Sequence, residues 1–501
     1  AGRGAAMSAR PAARGIWPPA LALAASALAF YPVLAVQFHT DDFLHLYELR
    51  NLSGPDFLLK MAGGHLYVTR NAIFLALDAL VGADSATAMA VVLATHLFNV
   101  WLLYQVVRQL TASPRLACLA AALWGTAPVA VGVLGWYTAY GQALAASCTL
   151  WVVWRLAQLA DGRPCPPAAP LRWALLLVAA GASFALGIAT TAVMPVVAWL
   201  LLPPSPARRR IVVCFALAVI ALAVGYLFVE QLNVARHGAG TSAMVVELGT
   251  RTPLSTLRLF VHLLAAGAAT LTLGPLFALA DYPTPAALAA AAACAAAVVA
   301  AFIVAPPRGR RQIAACLVLA LAAYAIIAAG RGVFHTNILP SVRQPRYHYA
   351  APLWLVPALA LALQGLAGGR PRQTAARTAL FAAGVAALGA SVAAGRPIDC
   401  HEAVRDQVAG RVAALRDAIL RQPPGSDVFL ANRPFDFSTY IDEFPGSAAL
   451  FVVYFPDNVV EGRQVYFVEL APRVLALARN GQRSRALLVP PAPGRAVVEL
   501  P

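Results

Sequence analysis

The stretch WPPALALAASALAFYPVLAVQFHTDDFLHLYELR, residues 17–50, decides the fold class. Residues 17–36 contain no charged side chain, and roughly 20 apolar residues are enough to cross a bilayer as a helix. Residues 39–48, which follow, are rich in His, Asp and Glu. No small-residue cleavage site ends the apolar run, so we interpret it as a retained membrane span and not as a removed signal peptide.

Runs of similar length recur along the chain. Hydrophobic residues make up 60% of the sequence and charged residues 12%, against roughly 45–50% and 25% in a soluble globular protein. The further runs are 86–107, 116–133, 138–159, 173–202 (two short spans around Thr190 and Pro195), 211–229, 286–304, 313–329, 350–366 and 378–394. The sequence therefore predicts an all-α polytopic membrane protein with about 11 transmembrane helices.

The placement of arginine predicts the topology, because short cytoplasmic loops hold the excess of Lys and Arg. The net charge of +16 comes almost wholly from arginine, in clusters between the apolar runs. That placement favours anionic headgroups as partners and argues against nucleic acid. It makes residues 1–16 a cytoplasmic tail and residues 37–84 an outer loop.

The apolar stretch 257–279 breaks this alternation. A single crossing there would move Arg308, Arg310 and Arg311 to the outer side, so we expect a re-entrant or surface-lying helix. The transmembrane domain is predicted to span 17–395. Residues 396–501 mix polar and aromatic residues with turns, and the strand-like segments 427–432 and 450–455 predict a small extracytoplasmic α/β domain.

The outer loop holds the first candidate site. Asp41 and Asp42 are adjacent carboxylates at a membrane boundary, where something must compensate their repulsion and desolvation. On a helix, Asp41, His45 and Glu48 would share one face. A solvated loop face is the alternative. His65 and Arg70 follow in the same loop, and His65, after two glycines, is open to either a functional or a structural role.

Two further polar segments lie later in the chain. His96 and Asn99 are one helical turn apart within a span, and for His96 we favour a packed, hydrogen-bonded role. Residues 341–349, SVRQPRYHY, precede a span on the predicted outer side. Arginine presents a planar set of donors that matches phosphate, so Arg346 with Tyr347 and Tyr349 is a candidate phosphate site. An interfacial Arg and Tyr belt is the alternative.

Together these motifs resemble the C-type (GT-C) glycosyltransferases. They comprise the acidic pair after the first span, His-Leu-Tyr-x-x-Arg-Asn at 65–71, His-Leu-Phe-Asn at 96–99 and Arg-Tyr-x-Tyr-x-x-Pro at 346–352. Within that superfamily the chain is most similar to bacterial relatives of the protein O-mannosyltransferases and the lipid A aminoarabinose transferase. The resemblance covers residues 15–370 and is strongest over 39–107.

The resemblance implies an enzyme of the bacterial inner or cytoplasmic membrane whose active site faces outward. It would move a sugar from a polyprenyl-phosphate donor to an acceptor hydroxyl of a lipid, glycan or protein. Asp41 or Asp42 would take the acceptor's proton, and Arg346 with Tyr347 or Tyr349 would stabilise the leaving phosphate. His65 and Arg70, with His45 and Glu48, would line the substrate site.

The sequence also departs from the family. It has Asp41-Asp42 where close relatives have Asp-Glu, and it lacks the Trp-Trp-Asp-Tyr-Gly motif of oligosaccharyltransferases. The sugar, the acceptor and the metal dependence stay open, and a divalent cation could be held by Asp41, His45 or Glu48. The alternative function is a transporter or flippase of lipid-linked or small polar substrates. Transporters place charges near the membrane midplane, whereas this chain places them at span ends, so we favour the transferase. A transferase requires the acidic segment at 39–48 and the Arg-Tyr segment at 341–349 to lie close together.

Overall fold

The computed structural model describes most of residues 17–366 and parts of the tail. The described residues are 17–36, 38, 42, 45–46, 48–49, 52–82, 84–237, 253–274, 277–332, 338–366, 413, 416–417, 419–425, 427–431, 459–468 and 497–499. The predicted span 378–394, the strand 450–455 and Asp41 lie outside them. So does the tail 1–16.

The described part of residues 17–366 is a bundle of helices. They are α1 (Trp17–Phe30), α2 (Gly54–Leu58), α3 (Val68–Val81), α4 (Ser85–Thr111), α5 (Pro114–Gly125), α6 (Val131–Leu134), α7 (Tyr140–Ala160), α8 (Ala169–Gly181), α9 (Ala185–Leu201), α10 (Pro206–His237), α11 (Pro253–Leu273), α12 (Pro285–Val304), α13 (Pro307–Arg331), α14 (Leu339–Val342) and α15 (Ala350–Leu366). Several begin at a capping side chain, such as Asp84, which accepts from the Thr87 amide, and Thr284, which accepts from the Ala287 amide.

Seven helices among the described residues are long and apolar enough to cross a membrane, or eight if the bent pair α5 and α6 is one span. This agrees with an all-α polytopic membrane protein. The distribution of side chains agrees as well, because Leu227 and Phe228 are 59% and 58% exposed on the outside of α10 whereas His96 and Asn99 are fully buried between helices. The total of about 11 spans stays a prediction.

The described arginine clusters of the predicted cytoplasmic loops lie at one end of the bundle. Asp161, just after α7, accepts from Gln109 near the end of α4 and pairs with Arg308 at the start of α13. The amide of Gln364, near the end of α15, donates to the Thr111 carbonyl at 2.7 Å. We call this the arginine end, and we call the opposite end, which holds the described residues of 36–84 and residues 338–349, the site end.

The segment 253–284 begins and ends at the site end. The Ser255 hydroxyl donates to the carbonyl of Gly332, which follows α13. Arg343 donates to the Tyr282 carbonyl at 2.7 Å, and the Tyr282 hydroxyl lies 2.9 Å from His262 of α11. Although α11 is long enough to cross, the chain after it returns to the end from which it came. The re-entrant or surface-lying course of 257–279 in the membrane stays a prediction, and a return to the same end is compatible with it.

Two apolar runs are broken where the sequence analysis did not place a break. The run 116–133 divides into α5 and α6, bent by 50°, at Pro128, which has no amide hydrogen to donate. The run 173–202 does form two short helices, but its break lies at 182–184. The predicted break around Thr190 and Pro195 is wrong, since both residues lie inside α9.

The described tail residues include four short strands. They are β3 (Asp427–Ala431), β4 (Val459–Val460), β5 (Arg463–Val468) and β6 (Val497–Glu499), and they form one sheet in the order β4-β5-β3-β6. Strand β3 pairs in parallel with β5 and β6, and β4 pairs antiparallel with β5. The strand predicted at 427–432 is thus present. The α/β domain over 396–501 and its extracytoplasmic side stay predictions.

Candidate active site at the site end

The loop Trp136–Thr138 joins the two segments that carry the predicted site. It follows α6, and the bend between α5 and α6 directs it toward residues 338–349. Gly132 of α6 packs so closely on the later segment that a Cβ there would lie 2.3 Å from the backbone nitrogen of Arg346. Only a residue without a side chain fits this contact.

Asp42 binds this loop directly. Its Oδ1 accepts from the Thr138 amide at 2.7 Å and from the Thr138 hydroxyl at 2.8 Å. The side chain is buried, and the described residues between 42 and 49 are helical. Two short hydrogen bonds to one carboxylate oxygen fix the orientation of the carboxyl group. Asp41, the other predicted catalytic acid, lies outside the described residues.

Arg70 reaches the same loop from the other side. Its guanidinium is fully buried, lies 3.7 Å over the Tyr67 ring and donates from Nη1 to the Thr138 carbonyl at 3.2 Å. Nε and Nη2 both donate to the Asn71 side chain. Burial lowers the pKa of Arg70, and the nearby Glu48 and Asp42 carboxylates oppose that shift. Arg70 therefore supplies a positive charge beneath the loop that Asp42 binds.

His65 is presented by a tight hairpin. Strands β1 (Met61–Ala62) and β2 (His65–Leu66) pair through a two-residue turn in which Gly63 and Gly64 have φ of 57° and 76°, values that glycine adopts without strain. The imidazole stacks on Phe184 at 4.2 Å. Its Nδ1 is buried and has no hydrogen-bond partner among the described residues.

The electrostatics around His65 mark a positive region. The pKa of His65 is lowered to about 3, chiefly because burial disfavours the imidazolium, and the charges of Arg331, Arg70 and Arg346 lower it further. At neutral pH the ring is therefore uncharged. A neutral imidazole beside three guanidinium groups can hydrogen-bond to an anionic ligand without adding a charge of its own.

Arg346 and Arg331 are held by aromatic rings. The Arg346 guanidinium lies 4.5 Å over Trp136 and 5.2 Å over Tyr347, and the Arg331 guanidinium lies 5.9 Å from the same Tyr347 ring. No carboxylate of the described residues forms an ion pair with either arginine. Stacking orients a guanidinium without neutralising it, so both can still bind an anion.

Tyr349 contacts α4 and α5 of the bundle. Its buried hydroxyl lies 3.1 Å from His96 Nδ1 and accepts from the Asn99 amide at 3.3 Å, while its carbonyl accepts from the Trp124 indole. The hydroxyl is thus bonded within the helix bundle. These contacts tie the Arg346 segment to α4, and the predicted phosphate-binding role of Tyr349 stays a prediction. His96 has the packed role expected for it.

Glu48 and His45 form a buried pair beside Arg70, and the His45 ring lies 5.4 Å from the Tyr67 ring. His45 Nδ1 lies 3.2 Å from Glu48 Oε2, and the Lys60 ammonium lies 3.7 Å from Glu48 Oε1. The Lys60 ammonium thus compensates the Glu48 carboxylate, and His45 is within hydrogen-bond distance of it. Among the described residues, no group of three or more His, Cys, Asp or Glu side chains could hold a metal ion. A divalent cation at this place stays a prediction.

The sequence analysis missed several residues of this region. Trp136, Tyr137 and Thr138 are part of the run WYTAY between two spans, and this density of aromatic and hydroxyl groups beside a glycine was the available signal. Arg331 has no sequence signal of its own, because arginine commonly follows the end of a span. Phe184 had no sequence signal, because its place against His65 follows from the break between α8 and α9.

Comparisons with known proteins give a likeness to solved structures. No family profile matches the sequence, and no curated protein sequence matches it. Among solved structures the chain is similar to the arabinofuranosyltransferase AftD from mycobacteria, with 17% sequence identity and a TM-score of 0.43. The similarity covers 85% of this chain and 30% of that one. A likeness of this size leaves the activity to be argued from the chain's own residues.

Proposed function

We propose that this chain is a membrane glycosyltransferase of the GT-C type. It would transfer a sugar from a polyprenyl-phosphate donor to an acceptor hydroxyl, at the side of the membrane where the site end lies. The positive-inside rule makes that the outer side, because the arginine clusters gather at the other end.

One observation carries the proposal. Asp42 and Arg346 come from segments about 300 residues apart in the sequence, and both contact the loop Trp136–Thr138, Asp42 through Thr138 and Arg346 through Trp136. The reaction needs a base for the acceptor and a cation for the leaving group near one sugar. The loop Trp136–Thr138 contacts both the candidate base, Asp42, and the candidate cation, Arg346.

The chemistry assigns a role to each group. As the acceptor oxygen forms a bond to the anomeric carbon, the bond from that carbon to the phosphate oxygen breaks, and the polyprenyl phosphate leaves. Asp42, or its neighbour Asp41, takes the proton of the acceptor hydroxyl. Arg346 stabilises the negative charge that develops on the phosphate, and Arg331 adds a second positive charge beside Tyr347.

The remaining polar groups hold this arrangement. Arg70 supports Thr138 from beneath, and the neutral His65 faces the region where the three arginine charges overlap. A buried, uncharged imidazole nitrogen is suited to a sugar hydroxyl, which is both a donor and an acceptor of hydrogen bonds. His65 would therefore orient the donor sugar, and Arg346 and Arg331 would bind its phosphate.

The test measures sugar transfer by Asp42→Asn in membranes whose native polyprenyl-linked sugars carry a label. The amount of label that reaches the product gives the activity. We expect at least a hundredfold loss, since general-base catalysis contributes roughly 10²–10⁴-fold. Asp281→Asn is the matched control, because Asp281 is an exposed carboxylate in another loop of the site end. Full activity of both the single variant Asp42→Asn and the double variant with Asp41→Asn would contradict this mechanism.

A further inference from the structure

A groove at the arginine end, between α7 and α8, is separate from the candidate active site. It encloses about 710 Å³ and is lined by Trp151, Arg155, Pro166, Arg172, Trp173 and Leu175, among others. Trp151 and Arg155 are four residues apart on α7, and Arg172 and Leu175 are three apart on α8. Each helix therefore turns one arginine and at least one apolar residue toward the groove.

The groove changes in polarity along its length. Arg155 and Arg172 lie nearer the connection between the two helices, at 161–168, whereas Trp151, Leu175 and Leu176 lie further toward the middle of the bundle. Leu175 is 60% exposed on the outer surface of α8. A ligand that fits this surface has an anionic head and an apolar tail.

Among the described residues, no carboxylate forms an ion pair with Arg155 or Arg172 at the head of the groove. Between residues 85 and 229 the sequence has eight arginines, no lysine and a single carboxylate, Asp161. Asp161 pairs with Arg308 and accepts from Gln109. Arg155 donates to the neutral side chain of Gln158 at 2.7 Å. Arg210 and Arg155 also act together on the Cys165 thiol, where their charges oppose the rise in pKa that burial causes.

We propose that this groove binds an anionic membrane phospholipid, with the headgroup phosphate between Arg155 and Arg172 and an acyl chain along Trp151 and Leu175. Basic pockets between transmembrane helices bind anionic headgroups by this combination of charge and apolar surface. Trp173, which adjoins Arg172 in the sequence and also lines the groove, suits the boundary between headgroups and acyl chains. The inference stands on α7 and α8 and is independent of the proposed transferase activity.

The first test compares three probes on the purified full chain in detergent. Native mass spectrometry would measure retention of phosphatidylglycerol, phosphatidylcholine with the same acyl chains, and inorganic phosphate. We expect preferential retention of phosphatidylglycerol. Equal retention of phosphatidylcholine, or equally tight binding of inorganic phosphate alone, would overturn the proposal.

The second test locates the site. The double variant Arg155→Gln with Arg172→Gln should bind phosphatidylglycerol roughly thirtyfold more weakly, as expected for two arginines that contact one headgroup. Arg115→Gln is the matched control, because Arg115 is an exposed arginine of the same end that does not line the groove. Equal loss in the control, or unchanged binding in the double variant, would place the lipid elsewhere and contradict the proposal.

Discussion

Asp42 owes its orientation to a residue 96 positions further along the chain. The Thr138 amide and hydroxyl both donate to one oxygen of the Asp42 carboxyl group, and the Thr138 carbonyl accepts from Arg70. Thr138 thus connects the proposed base to a buried cation. It acts through Asp42, as a positioning residue.

Replacing the hydroxyl tests this role. Thr138→Val keeps the shape and the backbone donor but removes one hydrogen bond to a carboxylate, a bond whose loss costs about 1.5–3 kcal/mol. We expect kcat for sugar transfer to fall at least roughly tenfold, with the KM for the donor unchanged. Thr138→Ser, which keeps the hydroxyl, should retain most of the activity.

The comparison of the two variants separates positioning from packing. If serine and valine reduce kcat equally, the methyl group and not the hydroxyl is what the site requires. If Thr138→Val has full activity, the hydrogen bond does not position a catalytic group.

The sequence indicates which ionisable residues belong to the site, but not which residues they hydrogen-bond to. Asp42, Arg70 and Arg346 are conspicuous because ionisable residues near a membrane are costly. Thr138 is an ordinary loop residue until the fold brings it to Asp42. The partners of Tyr349 are hidden in the sequence for the same reason, because its hydrogen bonds to His96 and Asn99 cross about 250 residues of sequence.

Among the elements, the short helix α6 matters most for the site. It follows the bend after α5, and Gly132 lets its backbone lie against the backbone of Arg346. The contact sets the distance between the Trp136–Thr138 loop and the arginine that the loop orients.

Gly132→Ala should therefore impair both stability and donor use. A Cβ at this position would meet backbone atoms, which cannot move as a side chain can, and forced overpacking costs about 1–3 kcal/mol. We expect a lower melting temperature in detergent and a higher KM for the donor. Gly225→Ala is the control, because a Cβ there meets nothing within 4 Å on α10, and alanine favours helix over glycine. Equal effects of the two substitutions would show that the Gly132 contact has no special role.

Hydrophobic length predicted most helices but not their breaks. The run 350–366 coincides with α15, because a charge or turn bounds it at both ends. The run 116–133 looked continuous, although Pro128 marks the bend. In 173–202 the sequence predicts a break around Thr190 and Pro195, yet α9 accommodates Pro195. The chain breaks instead at 182–184, where Gly141 packs so closely that a Cβ would lie 2.1 Å from the Ser183 carbonyl oxygen.

Across the whole molecule, charge separates the two ends. The arginine end carries the clusters that predict the cytoplasmic side, and the site end carries Asp42, His65 and Arg346. The ion pair between Asp161 and Arg308 fixes this separation independently of hydropathy, because it requires the chain between them to return to the same end. The positive-inside rule shows that a single crossing at 257–279 would not fit the arginine pattern, and the contacts of Ser255 and Tyr282 place both ends of this segment at the site end.

The central claim is that Asp42 and Arg346 serve one lipid-borne sugar phosphate at the site end. The most direct test is a cryo-EM structure of the full chain with an added polyprenyl phosphate. The account predicts phosphate density at the guanidinium groups of Arg346 and Arg331, beside the Trp136–Thr138 loop that holds Asp42. Phosphate density at the arginine end with none at this loop, or on the far side of the bundle from Asp42, would contradict it.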